Sequence, residues 1–169
     1  TEKNLKLSSD RYLLRPNLIG EIINHVSPQS NESILVLPAS TGYSSAIISN
    51  LAETVIAVEE DDNFISIAEK GMNKSGINNV VVIKKKINEN CLDQGPFNAI
   101  IIEGAIDYIP DQFLNQLENY GRLFALIKKD DVTNAMLYVK NRNSINSRFL
   151  FSCDAPKLNF FKKKNSFSF

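Results

Sequence analysis

The sequence is poor in histidine and cysteine, carries no net charge and contains no long apolar run. The single histidine, His25, has no catalytic partner in view and is expected to serve a helix end, where a cation suits the dipole. Cys91 and Cys153 are far apart, lack metal-ligand spacing and have no charged setting that would lower a thiol pKa. No metal site and no cysteine nucleophile is expected, and a reduced, cytoplasmic compartment is. Lys plus Arg number 19 and Asp plus Glu number 19, so no global field draws a polyanion and nucleic acid is not an expected partner. The runs Lys84–Lys86 and Lys162–Lys164 are local exceptions, expected to be solvated edges. No apolar stretch approaches the roughly 20 residues that span a bilayer, and Thr1 to Ser9 lacks the apolar core of a signal peptide. Neither membrane insertion nor secretion is expected.

What is present is a globular composition, 43% apolar and 22% charged, in a length of 169 residues that suits one domain over 1–169. Residues 1–33 predict an N-terminal helix with loops, 34–131 an α/β core, and 132–169 a C-terminal hairpin and edge strand. Leu18, Ile19, Ile22, Ile23 and Val26 recur at helical spacing after Pro16 and predict a helix over Arg15 to Val26. Ile34 to Leu37 is an uninterrupted apolar run, as in a strand buried on both faces of a parallel sheet. A small-residue turn, Pro38 to Gly42, leads into a helix over Tyr43 to Leu51.

The alternation continues with strands at Thr54–Val58, Val80–Ile83, Phe97–Ile102 and Leu123–Ile127, and with helices at Asp62–Ser75 and Asp111–Glu118. Asp62 is the expected N-cap of the former. Beyond Ala135, Met136–Lys140 and Arg148–Cys153 flank the turn-rich Asn141–Ser144 and predict a hairpin, with Phe167–Phe169 as a final edge strand. The fold class is therefore α/β: a doubly wound, mostly parallel sheet with helices on both faces and an antiparallel C-terminal hairpin.

In such sheets ligands sit outside the carboxyl ends of the strands. Small residues at Ala39, Ser40, Thr41 and Gly42 allow close backbone approach, and Tyr43 opens the next helix. Glu59 and Glu60 end the second strand about 20 positions later, the spacing at which a carboxylate receives ribose hydroxyls. Glu103 occupies the carboxyl edge after the fourth strand.

The segment Ile34 to Lys128 resembles the protein-L-isoaspartate O-methyltransferase family, in a divergent bacterial branch. "STGYSSAII" resembles the family's "GSGYQAAVL", "VIAVEED" its "VYSIER", and "GPFNAIIIEGAIDYIPDQFLNQLENYGRL" its "APFDRIIVTAAAPEIPEALLEQLKPGGRL". "DRYLLRPNLIGEII" is similar to the family's helix "ISQPYIVALM". The resemblance implies a Rossmann-like class I methyltransferase fold and S-adenosylmethionine as cofactor. It also implies methyl transfer to the carboxylate of isoaspartyl residues in damaged proteins or peptides. Glu59 would hold the ribose, Ala39 to Tyr43 the methionine end, and Ile87 and Glu103 would flank the adenine, with Glu60 and Lys86 beside them. Arg15, next to Leu14 at the family's substrate-side serine, could bind a substrate carboxylate.

The chain departs from the family at several of these places. Where the family has acid-x-G-x-G-x-G, this sequence has Val36, Pro38, Ser40 and Gly42. Pro38 removes an N–H and Ser40 adds a side chain, so affinity for the cofactor is expected to fall. Lys86 stands where the family's adenine-reading acid stands, and lysine has donors only. The family's N-terminal covering segment has no counterpart here, and the site is expected to be the more open to water. No residue is assigned a catalytic role. The alternatives are a pseudoenzyme that keeps the fold as a binding or scaffold module, and a small-molecule methyltransferase of the same fold. Oligomeric state is not specified by the sequence.

Overall fold

The computed structural model describes residues 3–89, 91 and 93–161. The Lys162–Lys164 run and the edge strand expected at Phe167–Phe169 lie outside the described residues. Two short strands open the chain: β1 (Leu5–Lys6) and β2 (Tyr12–Leu13) form a small antiparallel hairpin that the sequence did not announce. Helix α1 (Pro16–Val26) follows with Pro16 in its first turn and buries Leu18, Ile19, Ile22 and Val26 on one side.

The main sheet has seven strands in the order β5-β4-β3-β6-β7-β8-β9. Its parallel part comprises β3 (Ser33–Leu37), β4 (Thr54–Glu59), β5 (Val80–Lys84), β6 (Phe97–Ile106) and β7 (Leu117–Lys129). The order reverses direction at β3, which pairs β4 on one side and β6 on the other. Ile34 to Leu37 are inaccessible because both faces are covered. Ile34 and Val36 pack with α1 and with Ile48 of α2 (Tyr43–Ile48), while Leu35 and Leu37 pack with Phe113 of α4 (Asp111–Asn115) on the opposite face. Helix α3 (Asp62–Lys74) turns Phe64, Ala68 and Met72 inward. The antiparallel ending is β8 (Val132–Asn141) and β9 (Ser144–Cys153), joined at Arg142 and Asn143.

Three local expectations change. The N-cap of α3 is Asp61, not Asp62, because the Asp61 side chain accepts from the amides of Asn63 and Phe64. The helix expected to run to Glu118 stops at Asn115, since Leu117 already pairs with Phe97 in β7. A register shift between Phe97 and Ala99 then sets Glu118 to Gly121 against Asn98 alone, and a side chain at Gly121 would lie 2.8 Å from the Glu118 carbonyl. Strand β6 continues past Ile102 to Ile106, with Glu103 and Gly104 in a register shift between the paired Ile101 and Ala105.

Candidate cofactor crevice

The carboxyl ends of β3 and β4 meet as the topology requires. The Ala39 amide donates to the Val58 carbonyl at 2.7 Å, so the turn after β3 rests on the end of β4. Ser40 adopts φ 48° and Gly42 φ 77°, and the Gly42 amide closes the turn on the Ala39 carbonyl at 2.8 Å. The missing side chain of Gly42 serves packing: a Cβ there would lie 2.8 Å from Met72 Cε and 3.0 Å from Ala68 Cβ, so glycine lets the turn sit on α3. Glu59 points back into this turn. Its Oε2 accepts the Ser40 amide at 2.9 Å and its Oε1 accepts the amides of Glu60 at 2.8 Å and Asp61 at 3.1 Å.

The Glu59 carboxylate is not free. Arg11, from the loop of the N-terminal hairpin, donates Nε to both Glu59 oxygens at 3.1 Å and a terminal nitrogen to Oε1 at 2.5 Å. Arg11 is 1% exposed and Glu59 0%. The Phe160 ring lies over the guanidinium at 4.6 Å, and Asp10 contributes its carbonyl and a carboxylate oxygen, each at 3.3 Å. Burial disfavours the Arg11 cation, but hydrogen bonding and charge from Glu59 outweigh it and hold the guanidinium pKa above its ordinary value. The expectation of a more open site is therefore corrected: the hairpin seals the tip of β4.

A second internal segment fills the end of β6. Residues 155–161 run across it, with the Ala105 amide donating to the Pro156 carbonyl at 2.8 Å and the Leu158 amide to the Ala105 carbonyl at 2.7 Å. Leu158 lies so close over Gly104 that a Cβ on that glycine would be 2.4 Å from Leu158 Cγ. Phe161 buries its ring edge-on against Phe113 at 5.4 Å. S-adenosylmethionine, the cofactor implied by the resemblance, needs Glu59 to accept ribose hydroxyls. In this arrangement the residues do not fit it, because every acceptor direction of Glu59 is already used and no surface of the carboxylate is reachable.

The other expected residues are distributed around this plug. Ala39 and Ser40 are buried in the turn, Thr41 is partly exposed and Tyr43 is exposed, so Tyr43 does not pack inward. Ile87 is inaccessible, and its amide donates to a Glu60 carboxylate oxygen at 3.2 Å. Lys86 is exposed and lines an outer hollow of about 790 Å³ together with Glu60, Asn88, Glu89 and Phe160; Gly42 and Glu59 do not line it. Glu103 is partly exposed beside α2. Burial pushes its carboxyl up to about 7, against a hydrogen bond from the Ser44 hydroxyl.

Arg15 stands apart from this group. It lines two hollows, of about 380 Å³ with Glu21 and Phe151 and about 540 Å³ with Tyr12 and Asp154, neither of which is lined by Glu59 or Glu103. Leu14, at the family's serine position, is buried in the core. His25 stacks against Phe151 at 5.6 Å and lies 3.7 Å from Glu21, a surface setting without a nucleophile. Burial raises the thiol pKa of both Cys91 and Cys153, which makes each a poor nucleophile. Among the described residues no group of three or more His, Cys, Asp or Glu could hold a metal ion, and no helix is long and apolar enough to cross a membrane.

Sequence reasoning missed Arg11, Phe160 and Leu158. A lone arginine at the junction of a polar loop and a short apolar run has no periodic signal. One available hint was a charge preceding an apolar run, Tyr12 to Leu14, whose burial would carry it inward.

Comparison with known proteins agrees with the topology. The model of the family described as Protein-L-isoaspartate(D-aspartate) O-methyltransferase matches residues 1–153. A protein-L-isoaspartate O-methyltransferase of Methanospirillum hungatei is 24% identical over 139 residues, covering 82% of this chain and 64% of the relative. Another, from Jannaschia sp., is 26% identical over 135 residues, covering 80% of this chain and 61% of the relative. The chain thus spans less than two thirds of the length of these curated relatives. A solved protein-L-isoaspartate O-methyltransferase superposes with a TM-score of 0.83 at 20% identity, covering 95% of this chain and 54% of the other. A Plasmodium falciparum structure described as an enzyme of this kind in complex with S-adenosyl-L-homocysteine superposes with a TM-score of 0.75 at 16% identity, covering 94% and 81%. With a family model spanning the hairpin, the sheet and β9, this chain belongs to the protein-L-isoaspartate(D-aspartate) O-methyltransferase family.

Proposed function

We propose that the chain is the core of an S-adenosylmethionine-dependent protein carboxyl O-methyltransferase, acting on isoaspartyl carboxylates of damaged proteins or peptides in the cytoplasm. The observation that carries this reading is Glu59, which ends β4 and turns its carboxylate onto the Ser40 amide in the turn after β3. That is where a class I fold needs an acceptor for ribose hydroxyls, a role open to Glu59 only once Arg11 has withdrawn from it. Family membership over residues 1–153 supports the substrate class. The assignment of Ala39 to Tyr43, Glu60, Lys86, Ile87 and Glu103 around the cofactor belongs to the same proposal.

The activity is tested by incubating the full chain with methyl-labelled S-adenosylmethionine and an isoaspartyl peptide, with the aspartyl peptide as control. Labelled ester on the isoaspartyl peptide alone is the expected result; no ester on either peptide defeats the reading. A carboxylate is ionised at neutral pH, so no general base is asked of the protein. The second reading, a binding or scaffold module without cofactor, is favoured by the Arg11–Glu59 pair. It gains the field if the chain gives no labelled ester but remains folded.

A further inference from the structure

We infer that Arg11 is an internal stand-in for the cofactor's ribose, a latch that closes the crevice and must leave before any nucleoside can bind. The inference rests on the proposed function only in taking the Glu59 crevice as the cofactor site.

The chemistry of the substitution is direct. A ribose offers a carboxylate two adjacent hydroxyl donors, and the guanidinium of Arg11 offers Glu59 its Nε–H and a terminal N–H from one rigid fork. Both present two donors to one carboxylate, so they compete for the same lone pairs. Phe160 completes the cage by covering the guanidinium face at 4.6 Å, as an aromatic ring would cover a bound sugar or base. Glu59 also keeps three backbone amide donors, from Ser40, Glu60 and Asp61. The carboxylate is therefore not left bare when Arg11 withdraws.

The latch sits on a short hairpin outside the main sheet. The hairpin β1–β2 has only two residue pairs, Leu5 with Leu13 and Lys6 with Tyr12, and β1 is exposed. Its loop is closed by the Leu7 and Ser8 amides on the Arg11 carbonyl at 2.9 and 3.2 Å, contacts internal to the hairpin that travel with it. Side-chain bonds to Glu59 fix Arg11 to the sheet, and Phe160 belongs to the second covering segment. The outer hollow lined by Lys86, Asn88 and Phe160 adjoins this cage, giving a displaced ring or a ligand base a place beside the opened crevice.

The experiment is a calorimetric titration of S-adenosylhomocysteine into the wild-type chain, Arg11→Ala and Phe160→Ala, each checked by circular dichroism. Phe160→Ala loosens the cage without leaving Glu59 unpaired, so it holds the test should Arg11→Ala not fold. The expected result is at least tenfold tighter binding to Arg11→Ala, and several-fold tighter binding to Phe160→Ala, than to wild type. Equal affinities in all three overturn the latch and leave the cofactor reading standing. No binding to any of them overturns both. In wild type, a slowly exchanging Arg11 Nε–H resonance should vanish on saturation with S-adenosylhomocysteine; its persistence in the bound state overturns the latch.

Discussion

Glu103 shows how one carboxyl can be set apart by its surroundings. Desolvation raises its pKa from 4.5 to about 7 in the folded chain, with the Ser44 hydroxyl pulling the other way. The native state then binds more protons than the unfolded state between those two values, so its contribution to stability falls as pH rises from about 4.5 to about 7 and stays at the lower level above. Glu103→Gln should flatten that part of the profile and raise the melting temperature near neutral pH, where wild type carries a desolvated charge. Melting curves of both chains across this range check it; parallel profiles would show that Glu103 titrates as an ordinary surface carboxyl. At the same scale, the buried Arg11 and Glu59 depend on each other, since removing either charge leaves its partner desolvated without its main counter-ion.

Single elements are held by cross-links that sequence patterns do not carry. Arg122 at the start of the regular part of β7 donates to the carbonyls of Val26 at 2.7 Å, Ser27 at 2.9 Å and Asn98 at 3.2 Å, and pairs with Glu32 at 2.6 and 2.7 Å. It ties the end of α1 and the approach to β3 to the sheet. Burial alone would raise the Glu32 carboxyl, but hydrogen bonds from Arg122 and the Gln29 amide hold it below its usual range, so this contribution is lost as pH falls through that lowered value. Arg122→Ala should cost about 2–4 kcal/mol in urea unfolding, between an exposed pair and a fully buried one. A cost under about 0.5 kcal/mol, typical of a surface substitution, would reduce the cross-link to decoration. Leu158→Ala should be similarly expensive, about 2–5 kcal/mol, because the side chain fills the space that Gly104 leaves. The parallel strands were legible because runs such as Ile34–Leu37 must be covered on both faces. The hairpin β1–β2 was not, since two residue pairs make no period. The beginning of β7 was not, because Leu117 to Tyr120 is locally helix-compatible and only pairing with Phe97 decides its state. Glu59 was found by its spacing from the turn, whereas Arg11, 48 residues away, is joined to it by tertiary structure alone.

Across the molecule, the sheet grades from a doubly covered centre to thinly covered margins. β3 and β6 contribute inaccessible side chains to both apolar layers, while Val81 on β5 and Phe149 on β9 are exposed. Amide hydrogen exchange should be slowest in β3 and β6 and clearly faster in β5 and β9; uniform protection would contradict the layering. The proposal of one domain over 1–169 predicts coincident urea transitions by circular dichroism and tyrosine fluorescence, and two separated transitions would divide the chain. The two segments that cover the strand tips flank the sheet in the chain, Arg11 before α1 and Leu158 after β9. A molecule that took the place of Arg11 would push against Phe160 as well, so the hairpin and the segment after β9 would loosen together. Limited proteolysis would then record, as simultaneous cleavage before α1 and after β9, whether the interior had been visited.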